Sequence, residues 1–196
     1  MANLIRSFIA IPLTPEIHHN LAGFDKLYGL DSRASGLRPV KPANIHLTLK
    51  FLGEIEPSQV DILKDCLDQV TVNFVPFTAS VRGLGAFPNW RNRPRVIWVG
   101  VVPAIPIQEI FKRVDSATAL VGFPSEARAF SPHLTLARVS SSYSTQPPDN
   151  LLHKLMTLTP EPDFGSMVVD KLILFKSVLF SEGPVYSILS SHPFSG

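Results

Sequence analysis

The chain has 196 residues, 45% hydrophobic and 17% charged, with a formal net charge of +2. That length supports one domain with a sizeable core, and the balance of apolar to charged residues excludes disorder. The net charge is too small to imply a nucleic-acid coat, and is compatible with a small anionic substrate, with the end of an RNA, or with no nucleic acid at all. The single cysteine, Cys66, excludes an intrachain disulfide and reads as a small core residue of a helix. The opening stretch has one basic residue and an apolar run broken by Pro12, which does not make a secretory signal. No apolar run approaches a membrane span, and the expectation is a soluble cytoplasmic protein.

In chain order, Arg6 to Leu13 reads as a first strand. Thr14-Pro15-Glu16 then opens a helix whose apolar positions are Ile17, Leu21, Phe24 and Leu27, and which stops at Gly29 and the 31–36 stretch. Leu37 to Val40 is a short strand or extended lead-in, and Pro42 to Asn44 a turn. Ile45 to Leu52 is a strand ended by Gly53. Ser58 caps a helix with the stripe Val60, Leu63, Leu67 and Val70. Phe77 to Leu84 and Arg95 to Val102 are strand-like, with a loop or hairpin end over Gly85 to Pro94 between them. Ile107, Ile110, Phe111, Val114 and Val121 mark a third helix, closed by Gly122. His133 to Val139 is a strand, followed by a polar loop from Ser140 to Pro148. Asp149 or Asn150 caps a short helix over Leu151, Leu155 and Leu158. Met167 to Phe175 and Val178 to Leu189 read as two further strands, the second interrupted near Gly183-Pro184. The 18 prolines punctuate these elements and no linker divides the chain, so residues 1–196 read as a single domain made of two intertwined lobes.

Two of the strands carry the same tetrapeptide, His46-Leu47-Thr48-Leu49 and His133-Leu134-Thr135-Leu136, nearly half a chain length apart. Side chains alternate along a strand, so His46 and Thr48 share one face and the leucines the other, and the second copy repeats this. Each half runs helix, motif strand, helix, paired strands. That outlines two α+β lobes with helices on the outer faces and the histidine faces turned toward one cleft. A phosphorus centre between the strands would have two imidazoles, whose ordinary pKa near 6.5 suits proton transfer at neutrality, and two hydroxyls to meet negative charge on non-bridging oxygens. Two histidines without Asp, Glu or Cys at ligating spacing make a poor zinc or magnesium site, so neither metal nor cofactor is expected. Lys50 shares parity with His46 and Thr48, which directs it to the cleft. Arg138 has the opposite parity to His133 and reaches the cleft only through a bulge or from the strand end. Phe51 has core parity.

The two motifs resemble those of the 2H phosphoesterase superfamily, and most closely its RNA 2',3'-cyclic phosphodiesterase (2'-5' RNA ligase) family. The resemblance runs from Arg6 to Leu13, through Arg38 to Gly53, to Ser131 to Arg138. It implies a bilobal α+β fold with two antiparallel-sheet lobes, outer helices, a central cleft and pseudo-twofold symmetry. It also implies metal-free hydrolysis of an RNA-terminal 2',3'-cyclic phosphate to a 2'-phosphate, with reverse 2'-5' ligation as a possible activity. By that resemblance His133 is the general base, His46 the general acid, Thr48 and Thr135 bind phosphate, and Arg138 matches a family arginine. Its partners would be RNA ends or nucleotides bearing a 2',3'-cyclic phosphate, with no membrane and no protein partner implied. Phe87, Phe130 and Trp90 are further candidates for stacking on a base, Phe130 at the cleft mouth and Trp90 beside Arg91, Arg93 and Arg95. An ordinary solvated loop is the competing reading of the Trp90 stretch. His18, His19, His153 and His192 lack the motif and read as incidental. Two other functions are open: a 2H phosphodiesterase of a small nucleotide cyclic phosphate, and a non-catalytic RNA-binding module.

Overall fold

A computed structural model describes residues 3–30, 36–91, 93–140 and 151–196. Strand β1 (Ile5–Ile11) leads into helix α1 (Pro15–Tyr28). The Thr14 hydroxyl accepts from the Ile17 amide at 3.4 Å, Pro15 supplies the φ of the first helical turn, and Ile17, Leu21 and Phe24 form the buried face. Strand β2 (Leu37–Pro39) and a 3-10 turn (Pro42–Asn44) precede the first motif strand, β3 (Leu47–Ile55). Then come α2 (Gln59–Thr71), β4 (Phe77–Phe87), β5 (Val96–Val102), α3 (Ala104–Leu120) and the second motif strand, β6 (His133–Val139). Helix α4 (Leu151–Met156), β7 (Asp163–Val169), β8 (Lys171–Phe180) and β9 (Gly183–Pro193) complete the chain.

Every strand pair is antiparallel. One sheet has the order β3-β1-β8-β9 and the other β2-β6-β5-β4-β7. Helices α2 and α3 cover the first sheet; α1 packs on β7 and α4 on β4 of the second. This is the bilobal α+β fold expected from the sequence. The motif leucines Leu47, Leu49, Leu134 and Leu136 are all buried in the hydrophobic core. Each such leucine contributes about 1.5–3 kcal/mol, enough to set which way its strand faces. Among the described residues, no helix is long and apolar enough to cross a membrane.

Several boundaries differ from expectation. Strand β3 runs through Gly53 to Ile55, because Gly53 adopts φ 75° beside a bulge and lets the strand continue. Strand β4 continues through Gly85, where a Cβ would overlap the Trp98 indole; the missing side chain makes room for the ring. Ser58 makes no capping hydrogen bond, and the Gln59 side chain instead accepts from the Glu56 amide at 2.9 Å. The apolar run expected as one strand over Met167 to Phe175 is split at Asp170, where the chain passes from one sheet to the other. The following hairpin turns at Ser181-Glu182, between the paired Phe180 and Gly183. The loop 141–148 and the cap at Asp149 or Asn150 lie outside the described residues.

His192 has a structural task. It is buried, donates from Nδ1 to Asp68 of α2 at 2.6 Å, and accepts at Nε2 from the Ser190 hydroxyl at 2.7 Å. The edge strand β9 is thereby pinned to α2. Cys66 is half-buried, and burial pushes its thiol up.

Candidate active site

Both motif histidines are held in the same way. Nδ1 of His46 lies 2.8 Å from the carbonyl of Asn44, and Nδ1 of His133 lies 2.7 Å from the carbonyl of Ser131. A carbonyl only accepts, so each Nδ1 carries the proton and each Nε2 is left for chemistry. The two rings are packed differently. His46 stacks on buried Phe8 (centroids 4.6 Å, 23°) and meets Tyr186 edge-on. His133 meets Phe87 edge-on at 4.8 Å and lies 6.2 Å from Trp98.

A matching bulge follows each His-x-Thr. In the β1–β3 ladder, Ala10 faces Thr48 and Ile9 faces Lys50, which leaves Leu49 as the extra residue. In the β5–β6 ladder, Trp98 faces Thr135 and Ile97 faces Ala137, which leaves Leu136 extra. An extra residue reverses the alternation beyond it. Three expectations change or resolve as a result. Lys50, expected in the cleft, is turned to the core side at 2% exposure and donates to Asp115 of α3 at 2.6 Å. Phe51, expected in the core, is 63% exposed and lines the cleft. Arg138 reaches the cleft face through the bulge that its parity required.

The cleft has a volume of about 710 Å³. It is lined by His46 and Thr48 from one motif and by Thr135 and Arg138 from the other. His133, two positions before Thr135 on β6, shares its face by strand alternation and is not itself among the residues that line this cavity. Arg6, Arg38 and Lys41 add to the lining. Arg38 and Arg138 face each other directly across β2 and β6, an arrangement of like charges that is unfavourable without an anion. Among the described residues, none of Arg6, Arg38 and Arg138 forms an ion pair with a carboxylate. The arrangement offers proton carriers, hydroxyl donors and unneutralised cations to a phosphate group.

Burial lowers the pKa of His46 to about 4, against a contribution from the Asn44 carbonyl that raises it, and the nearby His18 lowers it further. Burial also lowers that of His133, opposed by the Ser131 carbonyl. A charged phosphate in the cleft favours the protonated ring and works against this desolvation.

Two proposed binding residues pack against other parts of the protein. Phe130 stacks a face of its ring on Phe111 of α3 (4.3 Å, 4°). Trp90 is half-buried against the core, while the neighbouring Arg91, Arg93 and Arg95 stay exposed. Conversely, Phe8, Arg6, Arg38 and Tyr186 belong to the site and were not singled out; Arg6, Phe8 and Arg38 lie within the segments that carry the resemblance, whereas Tyr186 had only the alternation of the last hairpin as a signal. His18 bonds the Pro42 carbonyl through Nδ1 at 2.8 Å and so braces the turn that holds His46.

The fold and the two motif strands define a phosphodiesterase-type hydrolase. A family model described as LigT like phosphoesterase matches the chain twice, over residues 11–98 and 99–186, with one motif strand in each match. The chain is 35% identical over 160 residues to the RNA 2',3'-cyclic phosphodiesterase of Aquifex aeolicus, covering 80% of this chain and 81% of that protein. It is 31% identical over 185 residues to that of Methanocaldococcus jannaschii, covering 94% and 98%. The crystal structure of E. coli LigT complexed with 3'-AMP superposes with a TM-score of 0.77 at 26% identity, covering 99% of this chain and 100% of that one. This chain belongs to the LigT-like phosphoesterase family of the 2H phosphoesterase superfamily.

Proposed function

We propose that the enzyme hydrolyses the 2',3'-cyclic phosphate at an RNA 3' end to a 2'-phosphate. The supporting observation is a cleft to which both motifs contribute, His46 and Thr48 from one and Thr135 from the other, rimmed by Arg6, Arg38 and Arg138, which form no ion pair with a carboxylate among the described residues. The relatives named above are RNA 2',3'-cyclic phosphodiesterases, and a mononucleotide 3'-phosphate occupies the E. coli protein. In the proposed reaction His133 takes a proton from water at Nε2 while the water oxygen bonds to phosphorus. The P–O3' bond breaks and His46 delivers a proton to O3'. Thr48 and Thr135 donate to the non-bridging oxygens, where charge grows. Phe51 offers an exposed ring for the terminal base. A 5'-hydroxyl in place of water would form a 2'-5' bond, and water, being abundant, prevails unless two RNA ends are held together.

The direct test is incubation with an RNA oligomer ending in a 2',3'-cyclic phosphate, with the product isomer read by mass and phosphatase sensitivity. A 2'-phosphate is expected, with EDTA leaving the rate nearly unchanged. A 3'-phosphate product would reverse the ribose oxygens assigned to the histidines, and a large EDTA loss would overturn a metal-free mechanism.

The proton inventory sets the pH dependence. Turnover needs one ring neutral and the other protonated, and both pKa values in the free protein lie below 6.5. The protonated partner is therefore lost as pH rises. A kcat/KM optimum below pH 6.5 with a falling alkaline limb is expected, and kcat should peak at higher pH because bound phosphate raises both rings. A kcat/KM that climbs steadily from pH 6 to pH 8 would contradict these protonation states.

A further inference from the structure

Tyr186 occupies a position in the cleft that the motif chemistry leaves unused. Its ring stands edge-on to His46 (centroids 5.3 Å, 82°) and to Phe8 (5.0 Å, 74°). The hydroxyl makes no hydrogen bond to any described residue, although a half-buried phenol ordinarily finds a partner. Burial pushes its pKa up, while the positive charges of Arg138 and Arg6 pull it back; both guanidiniums therefore lie within electrostatic reach. Arg6 comes from β1 of one sheet and Arg138 from β6 of the other. A neutral donor between two cations that lack a carboxylate partner is the composition of an anion site.

The ladder registers separate that site from the reacting centre. Thr48 faces Ala10 across β3 and β1, and Arg6 lies four residues before Ala10, about 13 Å away at the rise of a strand. Ser7 pairs with Lys176, and the next residue, Ser177, pairs with Tyr186, which puts Tyr186 in the row of Arg6. Phe8 and Phe51, paired across the first sheet, lie between that row and Thr48. The backbone of the Arg6 row thus stands apart from Thr48, with Phe8 and Phe51 between them, while the Tyr186 ring reaches back to His46.

We propose that Arg6, Arg138 and the Tyr186 hydroxyl bind the internucleotide phosphate on the 5' side of the terminal nucleotide, so that the enzyme selects a polynucleotide end over a cyclic mononucleotide. This rests on the RNA-end substrate proposed above. The terminal base stacks on Phe51, its cyclic phosphate lies between the motifs, and the preceding phosphodiester lies against Tyr186.

The test is steady-state kinetics of the wild type, Tyr186→Phe and Arg6→Gln on a nucleoside 2',3'-cyclic phosphate and on a dinucleotide ending in the same group. Tyr186→Phe keeps the ring on His46 and Phe8 and removes only the hydroxyl. For the dinucleotide it is expected to raise KM about tenfold, the effect of one hydrogen bond to a charged group, with kcat within about twofold. For the mononucleotide, which has no such phosphate, the loss in kcat/KM should be at least about fivefold smaller, so the readout is the ratio of kcat/KM between the two substrates. Arg6→Gln should also weaken the dinucleotide more than the mononucleotide, and lower the salt dependence of dinucleotide binding by about one phosphate contact more. Calorimetric affinity for the dinucleotide 2'-phosphate should follow the KM effects. Equal losses on both substrates would mean that Tyr186 acts on the reacting phosphate or on His46; no loss on either would remove it from recognition. Both results overturn the proposal. A wild type that hydrolyses neither substrate would instead sink the cyclic-phosphate function, while the calorimetric comparison would still read the second site.

Discussion

Replacing either motif histidine with alanine is expected to lower kcat for a 2',3'-cyclic phosphate by on the order of 10²–10⁴-fold, the range of a positioned general acid or base. The expectation follows from the way each ring is held. Nδ1 is committed to a backbone carbonyl in both, so Nε2 is the available proton-transfer atom, and a neighbouring group cannot replace it without moving a strand. KM should change far less, because Thr48, Thr135 and the arginines remain in the cleft. Thr48→Ala and Thr135→Ala should cost less, about tenfold to a few hundredfold, since each removes a neutral donor and not a proton carrier. Loss of the His46 ring also leaves Phe8 without its stacking partner, so thermal melting of each variant must accompany the kinetics. Turnover of both alanine variants within about tenfold of the wild type would refute the two-histidine mechanism.

The second large effect is on stability. Lys50→Met is expected to destabilise the fold by about 3 kcal/mol, near the low end for breaking a buried ion pair. Lys50 is buried and donates to Asp115 at 2.6 Å, with the Phe123 carbonyl at 3.4 Å. Burial acts to raise the Asp115 pKa, but the Lys50 hydrogen bond, the Glu126 amide and the Lys50 charge outweigh it and hold the carboxyl below the usual range. Removing the ammonium leaves that carboxylate with only the Glu126 amide and the Ser125 hydroxyl to offset desolvation. The pair ties β3 to α3 and to the segment that leads into β6, and so joins the two motif strands from behind. Replacing both partners, Lys50→Met with Asp115→Leu, should recover most of the loss, because no charge is then left buried. Urea unfolding checks this: the midpoint should fall for the single variant and return for the double one, with an unchanged slope. A single variant within about 1 kcal/mol of the wild type would show that the pair is solvated in practice.

Much of the site was legible before any coordinates. Strict alternation in two His-Leu-Thr-Leu segments is enough to put histidine and threonine on one face and leucine on the other. The burial of Leu47, Leu49, Leu134 and Leu136 follows from the cost of exposing them. Helix α1 was legible because its cap, its proline and its apolar spacing all agree locally. Recognising the second motif as a repeat of the first foretold the two lobes, and the family model divides the chain in the same way.

The positions of Lys50, Phe51 and Arg138 were not legible, because a bulge is a property of two strands and not of one. Whether Leu49 or Leu136 is an extra residue depends on what β1 and β5 place opposite, and those partners are distant in sequence. Phe130 and Trp90 show the same limit. An aromatic side chain in a loop can meet a base or the back of a helix, and packing against Phe111 and the core decided both. Composition and alternation by themselves determined the chemistry on offer, two imidazoles and two hydroxyls facing one way, because side-chain direction along a strand is a local rule. Only the tertiary structure decided which cations and rings join them, because pairing register and helix packing are settled between segments that the chain keeps far apart.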